Sequence, residues 1–436
     1  MPVSLPAPAG HRPVVGRGRE RHTQDMEQAD IIIIGAGIMG LCTAQQIARR
    51  SALRVLVVEQ GASLGLGSSG ASSAVCRHRY TRDEMMMLAR DGILAYRHWA
   101  EFTGLSAPRA TFHNTGALWI NPAGKDWADV ESQRMAAMDI RASVLDTAVL
   151  RERFPAINPC LTPPDLVTGA GHACDSGSSF LFEEDAGYFD PVDALQDLAE
   201  AVTGAGVRIS MHTPVESIIT SGGSVTGIQL KDGRRISTGM IVNATGPWCD
   251  RMLDPLGLAG RWPLSPVRIQ VIHLNRPEAV KGQIPVVCDL VGGIYFREQN
   301  NGQQIVLGST LEEDEREEVD PDNYRNWVDD TFKASKLHAL QHRIPDLPAH
   351  LGVTGYTGLY TVNTADVHPL VGPTEIEGLF VANGFSGHGF KAAPAIGSLL
   401  AQQLTGLQSD FDTRVSSEFL AFDRSPIAVD AHNVLA

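Results

Sequence analysis

Three strings in this 436-residue chain combine residue types and spacing that suit chemistry. The first is Gly35-Ala36-Gly37-Ile38-Met39-Gly40, a G-x-G-x-x-G string, with Glu59 a further 19 residues beyond Gly40. Gly35 permits a tight turn, Gly37 lets backbone approach a pyrophosphate, and Gly40 allows a helix to pack closely on a strand. The helix opening at Ile38 and Met39 presents free N–H groups and partial positive charge to phosphates. Glu59 is placed to accept hydrogen bonds from a ribose 2′-OH. This is dinucleotide-binding chemistry, with a purely structural glycine turn as the alternative, and it does not separate FAD from NAD. The second string is Ala74-Val75-Cys76-Arg77-His78-Arg79-Tyr80, strongly basic in a chain of net charge −14. The third is Gly384-Phe385-Ser386-Gly387-His388-Gly389-Phe390-Lys391, a second glycine loop ahead of a helix. An NAD site needs only one such loop, whereas a long, bent cofactor such as FAD can use another at its ring end.

The elements around these strings are legible from periodicity. Ile31–Ile34 is an apolar strand, Leu41–Arg50 has helical composition, and Val55–Val58 is a second strand ending at Glu59. The small-residue loop 61–73, with Ser68 and Ser69, is positioned to reach back over a bound dinucleotide; a surface linker is the alternative. The strand 240–245 ends in small residues, where a doubly wound sheet binds its ligand. Pattern predicts helices over 84–103, 190–204, 322–343 and 392–404, with Met85, Met86 and Met87 filling core. A hairpin is expected through Lys231-Asp232-Gly233, and strands near 267–274, 286–289, 293–296, 305–308 and 378–383. The acidic run Glu312–Glu318 reads as a solvated loop or helix start, or else an interaction surface.

Length implies two domains. The acidic balance argues against nucleic acid and anionic membrane surfaces. Six cysteines without a C-x-x-C pair fit reduced thiols in a cytoplasmic enzyme, with neither a disulfide framework nor a zinc site, so no metal is expected. No apolar run reaches the length of a membrane span. Residues 1–27 are rich in proline and arginine without the apolar core a secretory signal needs, so no such signal is expected there. A disordered arm is expected there, with Met26 as a candidate start; the prolines argue against an organelle transit helix.

Taken together, residues 29–410 resemble the flavoprotein amine-oxidising family, which includes sarcosine oxidases, dimethylglycine dehydrogenase, glycine oxidase and D-amino-acid dehydrogenases. The resemblance rests on Ala244-Thr245-Gly246-Pro247-Trp248, on the segment from Gly358-Leu359-Tyr360-Thr361 to Gly372, and above all on the Gly384–Lys391 string. It implies an α/β (α+β overall) fold: a Rossmann-like FAD-binding domain with a second, mostly antiparallel-sheet substrate domain. The first would be assembled from 28–105, 188–265 and 354–412 and the second from 106–187 and 266–353, with a C-terminal tail over 413–436. Implied FAD contacts are Gly35, Gly37, Ile38, Met39, Gly40, Glu59, Ser68, Ser69, Val215, Gly246, Gly358, Gly384, Gly387, His388, Gly389 and Lys391.

The resemblance also implies a site. Arg77 and Lys391 would hold a substrate carboxylate through short charge-assisted contacts. The alternatives are a pyrophosphate or surface contact for Arg77 and a flavin partner for Lys391. His388 is expected to be structural, with a proton shuttle as the alternative. Tyr295, Arg297 and Tyr360 are pocket candidates or packing residues. The implied reaction oxidises the C–N bond of a small amino acid, secondary, N-methylated or of D configuration, to an imine that hydrolyses. A 2-hydroxy acid oxidoreductase, or a β-type subunit active only in a hetero-oligomer, are the alternatives; a homo-oligomer is also compatible. Two departures stand out. Gly358 occupies the place of the cysteine that attaches FAD in monomeric sarcosine oxidases, implying non-covalent FAD. Val306 stands where those enzymes carry an oxygen-activating lysine, which favours an electron carrier over oxygen as acceptor.

Overall fold

A computed structural model describes residues 28–176 and 179–429. The arm expected over 1–27 and the last residues of the expected tail, 430–436, lie outside the described residues.

Ile31–Ile34 is buried on both faces, as a central strand of a parallel sheet must be. It pairs in parallel with Val55–Val58 on one side and Ile241–Asn243 on the other. Arg208–Ser210 and Leu379–Asn383 extend the sheet in parallel, and Leu370–Pro373 closes one edge antiparallel. The result is a six-stranded doubly wound sheet. The helices Ile38–Arg50, Asp83–Arg97 and Gly389–Thr405 share its main core cluster. Met85 is buried there, and Met86 is buried in a separate cluster with Trp119 and Leu181 of the second sheet.

A second sheet has eight strands, in the order Val353–Asn363, Leu264–Asn275, Gln304–Ser309, Ile294–Gln299, Val286–Asp289, Ala117–Ile120, Phe180–Glu183 and Ala142–Leu145. Every pairing is antiparallel except that of Val286–Asp289 with Ala117–Ile120. Residues 354–363, within the span expected for the dinucleotide unit, thus pair along their length in this sheet. In the C-terminal segment, Arg424 pairs with Asp366, and the Trp262 indole donates to the Phe422 carbonyl at 2.7 Å. Among the described residues no helix is long and apolar enough to cross a membrane.

Three expected helices differ in extent. The helix over 84–103 is interrupted at His98. The helix expected from 322 begins only at Asp330. The preceding segment serves the buried Arg268, whose guanidinium donates to the Arg325 and Trp327 carbonyls and pairs with Glu317 and Asp329. Carbonyls turned to a guanidinium are not available to the hydrogen-bond ladder of a helix. The third helix begins at Gly389, three residues earlier than expected, so Lys391 lies in its first turn. Pro394 has no N–H to bond the Phe390 carbonyl four residues back. The Tyr96 hydroxyl donates to that carbonyl instead, at 2.7 Å. Tyr96→Phe is therefore expected to cost about 1–3 kcal/mol by leaving a buried carbonyl unbonded, read as a lower midpoint in denaturant unfolding.

Two of the six cysteines, far from any C-x-x-C spacing in the sequence, lie together in the fold. Cys160 and Cys174 converge on His172 and His342, the last brought in by the helix Asp330–Arg343. Sequence spacing concealed this because the fourth residue arrives from a distant element.

Candidate functional site

The carboxyl ends of the parallel strands open into a cleft whose shape follows from glycine. Gly35 has φ +106°, and a Cβ there would lie 2.5 Å from the Ala244 carbonyl oxygen. A Cβ on Gly40 would lie 2.0 Å from the Gly35 oxygen. Turn, helix and neighbouring strand are thus in backbone contact, leaving the helix start open to the cleft. The Ser69 hydroxyl accepts from the Ile38 N–H at 2.9 Å, at that helix start. The Glu59 carboxylate accepts from the N–H groups of Ala36 (2.9 Å) and Gly61 (2.7 Å), which fix it at the cleft edge. Beyond it the wall includes Val215 and Ser68. The cleft continues past Gly37, Gly246 and Gly358 to Ile38, Met39, Gly387 and Gly389. A Cβ on Gly358 would come within 2.9 Å of the Ala71 methyl, so this strand passes close to the small-residue loop.

At its far end the cleft meets a small cavity of about 40 Å³ lined by Arg77, Lys391, Tyr295, Tyr360, Thr310 and Cys288. Arg77 and Lys391, expected to hold the substrate carboxylate, therefore share one space with the pocket candidates Tyr295 and Tyr360, and His388 does not line it. Arg77 follows the two-residue strand Val75–Cys76, which pairs with Gly187–Tyr188. Its guanidinium lies over the Tyr80 ring (4.4 Å) and the Trp119 ring (5.3 Å) and donates to the Arg79 carbonyl. The Lys391 ammonium stands 5.7 Å from the centre of the same Tyr80 ring. Rings and thiols surround these cations. Burial pushes the Cys76 and Cys288 thiols up to about 12, with Lys391 pulling both the other way. At neutral pH both stay protonated, which rules them out as thiolate nucleophiles. Tyr295 fits because Gly308 opposite it has no side chain; a Cβ there would meet the phenol ring at 2.4 Å.

A family model described as FAD dependent oxidoreductase (DAO) matches residues 30–403. The chain belongs to this FAD-dependent oxidoreductase family. Its cofactor is FAD. The chain is 29% identical to FAD-dependent oxidoreductase domain-containing protein 1 of Mus musculus, over 90% of this chain and 84% of that protein. It is 27% identical to monomeric sarcosine oxidase of Bacillus sp. (strain B-0618), over 86% of this chain and 92% of that one. Dimethylglycine dehydrogenase of Homo sapiens is 24% identical over 93% of this chain, which spans 46% of that longer protein. Among solved structures, L-proline dehydrogenase from P. horikoshii superimposes with a TM-score of 0.75 at 21% identity, covering 91% of this chain and 97% of the other.

The cleft fits FAD on its own geometry. It is long, runs from an anchored carboxylate to a glycine loop, and its backbone approaches at Gly35 and Gly40 exclude any side chain. Gly358 offers no thiol for covalent attachment. Gly40, Gly384 and His388 stand behind the wall. A Cβ on Gly384 would face Leu264 at 3.0 Å. His388 is fully buried, edge-on to Tyr80 at 5.0 Å and near His368 at 6.5 Å. Arg297 donates to the Ser73 carbonyl at 2.7 Å, lies over the Tyr188 ring, and lines an adjacent cavity with His273 and Tyr356. Val306 is fully buried, opposite His273 and Arg297 on the flanking strands.

Two residues that shape the site escaped the sequence reading. Glu183 is fully buried and accepts from the His78 N–H (2.5 Å), the His78 ring (2.9 Å), the Arg79 N–H (3.1 Å) and the Trp119 indole (2.7 Å). It fixes the loop that presents Arg77. Gly92 is the other: a Cβ there would lie 2.1 Å from the Lys391 carbonyl oxygen, so this glycine sets the seat of Lys391. The carboxylate at the end of an apolar strand was the available signal for Glu183; nothing local marks Gly92.

Proposed function

We propose that the chain oxidises the C–N bond of a small amino acid, secondary, N-methylated or of D configuration, to an imine that water hydrolyses, with a dehydrogenase's acceptor preference. The observation that carries this reading is the convergence of Arg77 and Lys391 on one small cavity at the end of the FAD cleft. Two buried cations in an apolar, ring-lined space attract a carboxylate more strongly than exposed ones would. The cavity's size favours a short side chain. The names of the similar proteins, sarcosine oxidase, dimethylglycine dehydrogenase and proline dehydrogenase, point to the same substrate class.

FAD, when bound, supplies a two-electron acceptor. The chain's own work is to bind and orient. Arg77 and Lys391 fix the carboxylate, and with it the position of the amine, so that positioning does much of the catalysis. Tyr295 and Tyr360 close the sides and exclude water. Burial raises both phenols, so they remain protonated donors at neutral pH. The reacting amine must be unprotonated for its lone pair to drive oxidation. Val306 at the place of an oxygen-activating lysine favours an acceptor other than oxygen.

The test is an anaerobic panel of sarcosine, dimethylglycine, proline, D-amino acids and 2-hydroxy acids mixed with holoenzyme. Bleaching of the flavin band by at least one amino acid is expected, with slow reoxidation in air. Bleaching by 2-hydroxy acids alone, or by nothing in the panel, would sink the proposal.

A further inference from the structure

We infer that Cys160, His172, Cys174 and His342 form a structural zinc site, remote from the FAD cleft, that pins the loop after Cys160 onto the helix Asp330–Arg343. One donor atom from each of the four lies within 4.8 Å of every other. The Cys160 sulfur is 3.4 Å from His172 Nε2, and the Cys174 sulfur is 3.7 Å from the same nitrogen. The rings of His172 and His342 are 5.0 Å apart. A tetrahedral ion with Zn–S about 2.3 Å and Zn–N about 2.0 Å sets sulfur–nitrogen edges of roughly 3.5 Å. The measured edges already match, and the widest needs to contract by about an ångström to complete the tetrahedron.

The donor set selects the metal. Two thiolates with two imidazoles suit zinc and are poor ligands for calcium or magnesium. Four protein ligands fill a tetrahedral shell and leave no open position for water or substrate, which marks the site as structural. An independent observation points the same way. Both ring nitrogens of His342 are buried with no hydrogen-bond partner, a costly arrangement, and a metal bond satisfies one of the two. Asn158 completes an outer shell: its amide N–H reaches the Cys174 sulfur (3.8 Å) and the His342 carbonyl (3.0 Å), while its oxygen accepts from the Cys160 N–H (3.2 Å). Such partners orient ligands and tune the metal.

The site also has something to anchor. Arg343, next to His342, forms a fully buried pair with Asp289 at 2.8 Å and donates to the Cys160 carbonyl at 3.0 Å. Asp289 ends the strand that carries Cys288 on the wall of the cation pocket. The metal therefore ties an otherwise irregular loop to the back of the substrate sheet.

Full-length holoenzyme, purified in reductant without chelator and then equilibrated with zinc and desalted, is to be analysed by elemental mass spectrometry. About one zinc per chain is expected, as a closed four-ligand site requires. C174S and H172A should each lose it while keeping wild-type FAD content. Cobalt loaded into the wild-type protein should give the intense visible bands and thiolate charge-transfer absorption of a tetrahedral site with two sulfurs. That measurement stands even if a variant does not fold. Absence of bound zinc, a Cys160–Cys174 disulfide in place of metal, zinc retained in both variants, or octahedral cobalt spectra would each overturn the assignment.

Discussion

Lys391→Met is expected to lower kcat/KM for a carboxylate substrate by about thirtyfold to several thousandfold while FAD remains bound. Methionine replaces the unbranched lysine stem and lacks only its terminal ammonium, so the change chiefly removes the charge. Losing one partner of a desolvated charge pair costs about 2–5 kcal/mol, and each 1.36 kcal/mol is a factor of ten in rate. Lys391 sits in the first turn of its helix, with its backbone seated against Gly92 and the next carbonyl back held by Tyr96. The side chain can therefore change without moving the turn. A simple amine without a carboxylate separates the two roles open to Lys391. If the ammonium holds the carboxylate, oxidation of such an amine is slow in the native enzyme and little changed in K391M. If it acts on the cofactor, both substrates lose kcat by the same factor. Steady-state kinetics on the two, with the flavin spectrum as a check on cofactor content, decides between them.

What the sequence made legible was local in the chain. The G-x-G-x-x-G turn, its two strands and Glu59 fall within 30 residues, and each announces itself by period and composition. The Gly384–Lys391 loop is likewise contiguous, and its cation could be placed near a ring site through the family resemblance. Where partners were far apart, the pattern failed for a physical reason. The residues before Asp330 read as helix because their composition permits it, yet Arg268, from another strand, takes their carbonyls. Glu183 reads as one more acid at a strand end, and its meaning comes only from four donors on two other segments. Cys160, Cys174 and His172 show no ligand spacing until the helix ending at Arg343 delivers His342. Gly92 looks like a weak point in a helix, and its purpose appears only where that helix crosses Lys391.

Glu183→Gln tests the longest of these connections. The carboxylate is acceptor-only, and both its oxygens are fully engaged: one takes the two His78 donors, the other the Arg79 N–H and the Trp119 indole. An amide must turn its own N–H₂ toward one of these donor pairs, whichever way it is flipped. The variant thus replaces at least one hydrogen bond by a donor–donor contact and removes the buried negative charge that these donors surround. A buried donor left without its acceptor costs about 1–3 kcal/mol, so a clear fall in thermal midpoint is expected. Arg77 rests on the same Trp119 ring and the same loop, so KM for the carboxylate substrate should rise while FAD content holds. W119F loses one of the four bonds, and its effects should be smaller in both readouts. Loss of stability without any change in KM would show that Glu183 supports the fold but does not position Arg77. The pH dependence has a defined sign. Burial works to raise the Glu183 carboxyl, but hydrogen bonding and charge from His78, with the Trp119 indole, outweigh it and hold it below the ordinary glutamate value. Its contribution is therefore fully present above about pH 4.3, the unfolded value, and is lost as pH falls through the lower folded value. The native protein should lose stability on acidification through that window, and E183Q, which has nothing to titrate there, should show a flatter profile.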